Sequence, residues 1–156
     1  LGGSIANNDP ASDYPGAVLG LGATVSTDRR KIAADDFFTG MFETALEEDE
    51  LITHVSFPVP AKAKYMKFPN PASRYSMAGS FVARTDGGVR VAITGAGPCV
   101  FRWREAEQAL GGNFSPTALD ALTMPADDLN GDIHGSPEYR ANLVKVMTKR
   151  AVEALA

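Results

Sequence analysis

The sequence predicts an α+β fold, with a partial first unit (residues 1–58) followed by a small antiparallel three-stranded sheet packed with helices (59–156). Three observations predict it. Short β-prone segments at 65–68, 78–84 and 89–95 are followed, not interleaved, by helical segments, which is the α+β order. The last two strands are joined through Thr85-Asp86-Gly87-Gly88, and an Asp-Gly pair between alternating strands signals a hairpin. Connections that short permit only antiparallel pairing. The composition also shifts at 58–64, where Pro58-Val59-Pro60 closes the first unit.

Each element follows from local chemistry. Residues 2–10 read as a loop, because Gly2-Gly3-Ser4 and the polar run behind it carry no periodicity. Asp13 stands where a helix N-cap belongs, with Pro15 in the first turn and an apolar run at 17–21. A strand is expected at 23–27, ending in the polar turn Asp28-Arg29-Arg30. A second loop is expected at 35–40, an acidic turn at 44–50 and a strand at 51–57. Beyond the sheet, helices are expected at 104–110, at 116–122 with Ser115 as cap, and at 137–155. In the last, Tyr139, Leu143, Val146, Met147 and Ala151 recur at helical spacing.

The bulk numbers exclude several classes. With 44% hydrophobic and 22% charged residues, the 156-residue chain is neither disordered nor fibrous. A net charge of −4 with scattered basic residues argues against a nucleic-acid partner. No apolar run approaches the roughly 20 residues of a membrane helix. The single cysteine, Cys99, excludes an internal disulfide and implies a reducing, cytoplasmic setting by default. The start Leu1-Gly2-Gly3, without an initiator Met or a signal pattern, reads as a truncation.

Among chemically capable residues, the glycine loop comes first. Glycine has no Cβ and tolerates φ > 0, so Gly2-Gly3-Ser4 lets backbone amides approach a polar ligand, with Asn7, Asn8, Asp9 and Asp13 nearby. A plain structural loop remains the alternative; no Walker or dinucleotide motif is present. Cys99, flanked by apolar residues, reads as a small buried hydrophobe. His54 and His134 are isolated, with no metal-ligand spacing. Lys67, between Met66 and Phe68, is either an edge-strand lysine or a cation pointed into a cleft between the two units.

Read together, these segments resemble the FAD-carrying medium subunit of the molybdenum hydroxylases, the family of carbon monoxide and xanthine dehydrogenases. GGSIANNDPASDYP is similar to that family's second flavin loop, and FFTGMFETALEEDELITHVSFP to its second signature. KYMKFPNPASRYSMAG resembles the strand that opens the C-terminal domain, and RVAITGAGPCVFRWREAEQAL and HGSPEYRANLVKVMTKRAVEAL its hairpin and final helix. The resemblance implies that 1–58 is the C-terminal part of the FAD-binding domain, a remnant of its second subdomain. It implies that 59–156 is a CO dehydrogenase flavoprotein C-terminal-like domain.

The resemblance further implies that Gly2, Gly3 and Ser4 contact the phosphate-bearing part of FAD through backbone amides, that Ile5, Ala6 and Asn7 continue along it, and that Asp13 hydrogen-bonds it. Leu51 and Ile52 would lie near the isoalloxazine, and Lys67 would approach it from the second domain. No side chain is implied as an acid–base catalyst. The implied partners are an iron–sulfur small subunit carrying [2Fe–2S] clusters and a large subunit carrying molybdopterin. Relatives often have an acidic residue where this chain has Arg74. The family's first flavin subdomain would precede Gly2, so weak or no FAD binding is expected of the chain alone. Two other readings stay open: a subunit-docking module without flavin chemistry, and an unrelated enzyme that binds a phosphorylated metabolite at the 2–13 loop.

Overall fold

In the computed structural model, which describes residues 1–155, each half of the chain contributes its own sheet and core; Ala156 lies outside the described residues. The first half runs α1 (Gly2–Asn7), α2 (Tyr14–Gly20), β1 (Thr24–Thr27), β2 (Lys31–Ala33), α3 (Ala34–Phe37), β3 (Phe38–Gly40), β4 (Glu43–Thr44) and β5 (Ile52–Ser56). Strand β1 is central, pairing antiparallel with β2 and β5, so that Val25 lies between Ile32 and Val55. The fully buried Ile5, Val18, Val25 and Phe37 form the core of this half.

Residues 2–7 are helical, which corrects the expected loop. The reason is tertiary. Ile5 is fully buried, and the buried Asn8 ends the helix in the left-handed conformation at φ 45°. The Asn8 amide donates to the carbonyls of Gly40 (2.7 Å) and Glu43 (2.8 Å), so it ties α1 to the β3–β4 hairpin. The expected loop at 35–40 is α3 running into β3, because Ala34 and Phe37 anchor one helical turn in the core.

The second half runs β6 (Lys62–Pro69), β7 (Ser76–Thr85), β8 (Gly88–Thr94), β9 (Phe101–Arg102), α4 (Arg104–Gly112), a 3₁₀ turn (Pro116–Leu119) and α5 (Pro137–Glu153). The sheet has four strands in the order β6-β7-β8-β9, not three; β9 adds two pairs, Ala92 with Arg102 and Ile93 with Phe101. A two-residue strand has no periodicity to read. The segment expected to be helical at 116–122 is only the 3₁₀ turn, with Ser115 accepting from the Thr117 amide as its cap. Ser136 caps α5 in the same way.

Alternation along the strands decides which face meets what. Met66, Phe68, Val82 and Ile93 join the core beneath α4 and α5, while Phe81 and Ala92 join the core of the first half. Helix α2 lies on that second face, where its glycines make close approach possible. A Cβ on Gly20 would stand 2.5 Å from Phe81 Cδ1, and one on Gly16 3.0 Å from Thr94 Cγ2. Arg90 on β8 locks the junction. Its guanidinium donates to the carbonyl of Leu19 (2.8 and 3.2 Å) and to both oxygens of Asp35 (2.9 and 3.1 Å). Burial works to raise Asp35, but the hydrogen bonds from Arg90 and Arg102 hold it below the usual carboxylate range. Among the described residues, no helix is long and apolar enough to cross a membrane.

Candidate functional site

The site lies where α2 meets the four-stranded sheet. Tyr65 and Lys67 are two residues apart on β6, so both point to the α2 side. Across the strands, Lys67 pairs with Gly79 and Gly79 pairs with Thr94, which makes one straight row through β6, β7 and β8. Gly79 leaves the middle of that row empty. A Cβ there would lie 2.3 Å from Tyr65 Oη and 2.5 Å from Thr94 Oγ1, so only glycine admits the Tyr65 ring end into this space.

Asp13 closes the cluster from above. It occupies the N-cap position of α2, as the sequence predicts, but its side chain makes no capping hydrogen bond. The Lys67 ammonium donates to Asp13 Oδ2 at 2.6 Å and the Tyr65 phenol to Oδ1, also at 2.6 Å. An exposed ion pair is worth little by itself. Here the Asp13 and Lys67 side chains are 44% and 28% exposed, and the phenol holds the second carboxylate oxygen. Tyr65 Oη also lies 2.9 Å from Thr94 Oγ1, which is 3.4 Å from Ser76 Oγ. Burial, and then the Asp13 carboxylate, push the Tyr65 phenol upward, so it stays protonated and remains a donor.

Beside this cluster opens a cleft of about 370 Å³, lined by Ser4, Asp9, Ser12, Asp13, Tyr14 and Tyr75. Ser4 and Ser12 share a 2.8 Å hydrogen bond that fixes α1 against the segment leading to α2. Tyr75 also borders a larger cleft of about 470 Å³, whose walls include Phe42, Asn70, His134 and Arg140. Phe42, Arg74 and Asn8 near these clefts are non-glycine residues at positive φ (57°, 65° and 45°).

The structure thus brings Ser4, Asp13 and Lys67 to one place, although Lys67 is 54 residues from Asp13 in the chain. Gly2 and Gly3 start α1, and a Cβ on either would meet nothing within 4 Å. Ile5 is buried, so only its backbone could face a ligand, whereas Asn7 is exposed. Leu51 is 67% exposed at the start of β5, and Ile52 packs against the first core; neither lines the cleft beside Asp13. Asn8, read from the sequence as a nearby donor, is instead consumed by the β3–β4 hairpin. Sequence reading missed Tyr65, Gly79, Thr94 and Tyr75. A signal for the first existed: a Tyr and a Lys two apart on one strand share a face. Cys99 is partly buried, and burial pushes its thiol upward, away from nucleophile chemistry. Among the described residues no group of three or more His, Cys, Asp or Glu could hold a metal ion.

The four-stranded sheet is backed by helices on one face and joined on the other to the half that carries α1 and α2, with the cleft beside the junction. The model of the CO dehydrogenase flavoprotein C-terminal domain matches residues 70–155, and the chain belongs to that family. Residues 1–60 match the model of the FAD-binding domain in molybdopterin dehydrogenase. The chain is 36% identical to the nicotine 6-hydroxylase medium subunit of Paenarthrobacter nicotinovorans, over 97% of this chain and 59% of that protein. It is 32% identical to the carbon monoxide dehydrogenase medium chain of Afipia carboxidovorans, over 98% of this chain and 59% of that one. The fold superimposes on reconstituted CO dehydrogenase from Oligotropha carboxidovorans with a TM-score of 0.84 at 30% identity, covering 99% of this chain and 60% of that one. The chain therefore spans about 60% of the length of the relatives it matches.

Proposed function

We propose that the chain is the cleft-forming part of the FAD-binding medium subunit of a molybdenum hydroxylase, an oxidoreductase. One observation carries the reading: residues 1–60, which match the FAD-binding-domain model, place Ser4 and the Asp13 carboxylate on one cleft, with the Lys67 ammonium on Asp13. Nothing stands within 4 Å of an added Cβ on Gly2 or Gly3, so the backbone at the start of α1 is open. The donor set fits FAD: unobstructed amides at Gly2, Gly3 and Ser4 for a phosphate-bearing portion, the Asp13 carboxylate for a hydroxyl or ring N–H, and an ammonium at Lys67.

Held by these residues, FAD would supply electron transfer between [2Fe–2S] clusters and an external acceptor. The chain's own residues bind and orient. Amides at the start of α1 compensate negative charge, with Ala6 and Asn7 farther along the same helix. Lys67, paired with Asp13 at 2.6 Å, would hold positive charge beside the bound group, and no step needs an acid or base from this chain. Leu51 and Ile52 supply apolar surface at the start of β5. We set the domain boundary at residue 58, in the stretch between β5 and β6. The partners are an iron–sulfur small subunit and a molybdopterin-bearing large subunit, in the cytoplasm.

Titration of the chain with FAD, followed by flavin fluorescence, tests the site. Weak or no quenching is expected of the chain alone, and Lys67→Met and Gly3→Val should each weaken any that is seen. Sub-micromolar affinity would overturn the expectation of weak binding, and saturable quenching with equal affinity in both variants and the parent would overturn the assignment of the site.

A further inference from the structure

Lys67 does not hold its position alone. Its ammonium rests on Asp13 Oδ2, and the other carboxylate oxygen is taken by Tyr65. The directions of the two short hydrogen bonds behind it, at 2.6 and 2.9 Å, follow from the chemistry of their partners. A carboxylate only accepts, so the single phenolic proton of Tyr65 goes to Asp13. Thr94 must then donate to Tyr65 Oη. The result is a one-way relay from Thr94 to Tyr65, ending on the carboxylate that grips Lys67, with Ser76 Oγ 3.4 Å behind Thr94. The row Lys67–Gly79–Thr94 supplies its track, and the missing side chain of Gly79 supplies its space. Tyr65 is steadied by Phe81, with ring centroids 6.3 Å apart.

We propose that Tyr65, backed by Thr94, is a positioning residue that fixes the Asp13 carboxylate and through it the Lys67 ammonium. Without the phenol, Asp13 keeps one oxygen free to turn toward water, and a partly exposed lysine follows it or separates from it. The consequence for cofactor binding rests on the flavin reading above; the positioning itself does not.

The side-chain ammonium signal of Lys67 in ¹⁵N-labelled chain, recorded by heteronuclear NMR without ligand and assigned by its loss in Lys67→Met, tests the proposal. Tyr65→Phe should shift this signal or broaden it beyond detection, while backbone amide signals away from the site stay in place. Thr94→Val should move it in the same direction by less, and Thr94→Ser, which restores the hydroxyl, should return it. Because Tyr65→Phe also removes a buried hydrogen bond and could unfold the chain, the Thr94 pair gives a second, independent reading. An unchanged Lys67 signal in Tyr65→Phe, or in Thr94→Val should the former not fold, would overturn the proposal. In FAD titrations, Tyr65→Phe should weaken binding roughly 2- to 10-fold, the range of one lost hydrogen bond. A shifted Lys67 signal with FAD affinity untouched in both Tyr65→Phe and Lys67→Met would leave the positioning role standing and overturn the flavin reading instead.

Discussion

Replacing Gly79 by alanine adds one methyl group at the most crowded point of the site, and its cost follows from the geometry. The new Cβ would lie 2.3 Å from Tyr65 Oη, 2.5 Å from Thr94 Oγ1 and 2.8 Å from Tyr65 Cε2. Thr94 must turn, and Tyr65 cannot clear its own two contacts by a small rotation, because its ring is flanked by Phe81. It must leave its place, which breaks the bond to Asp13. Overpacking costs about 1–3 kcal/mol, and a lost hydrogen bond to a charged group about 1.5–3 kcal/mol. Water reaching the half-exposed Asp13 recovers part of the second. The stiffer unfolded chain offsets a further ~0.4–1 kcal/mol. The net loss is about 2–3 kcal/mol. For a chain of this length, each kcal/mol moves the midpoint by about 2–4 °C, so Tm should fall by roughly 5–10 °C. Thermal unfolding followed by circular dichroism measures it. Gly87→Ala is the control, since its Cβ would meet nothing closer than Thr85 Oγ1 at 3.7 Å. A Gly79→Ala midpoint within about 2 °C of the parent would refute the packing argument.

Other glycines should respond with the opposite sign. Gly111 lies in α4 with nothing within 4 Å of an added Cβ, so Gly111→Ala should stabilise the chain by up to about 1 kcal/mol in the same assay. Arg90→Met removes both donors to the Leu19 carbonyl and one of the arginine partners of Asp35, leaving Arg102 and Arg104. It should cost about 1–3 kcal/mol, read as a lower urea midpoint, and an unchanged midpoint would show that the junction does not depend on this clamp. Glu50 is held at about 2, below its ordinary 4.5, first by the hydrogen bond from Arg30 and then by the Glu47 amide. A depressed acid stabilises the fold above its unfolded value and loses that contribution as pH falls toward its folded one. Stability should therefore decline between about pH 4.5 and pH 2, and Glu50→Gln should flatten that part of the urea-midpoint profile.

The site was partly readable because its chemistry-bearing residues keep recognisable neighbours. Gly2-Gly3-Ser4 announces exposed backbone, and Lys67 stands out between two apolar residues on a strand. The errors share one cause. Residues 2–7 look like a loop because two glycines and an asparagine disfavour helix locally. Burial of Ile5 and the two hydrogen bonds from Asn8 outweigh that preference. Asp13 was placed correctly as an N-cap, yet its side chain has stronger partners than the helix amides. Strand β9 was invisible because it is two residues long and its pairing partners lie eight and ten residues away on β8.

Sequence alone determined the class of fold and the family, since both rest on the order and spacing of short-range signals: strand alternation, an Asp-Gly turn, capping serines and glycine-led motifs. Only the tertiary structure decided what Lys67 touches. The lysine meets an aspartate 54 residues earlier and answers to a threonine 27 residues later, through a tyrosine that fits only because Gly79 lacks a side chain. Contacts of that kind depend on the register of three strands and the placement of α2, and strand register is set by burial of whole faces rather than by the residues that meet.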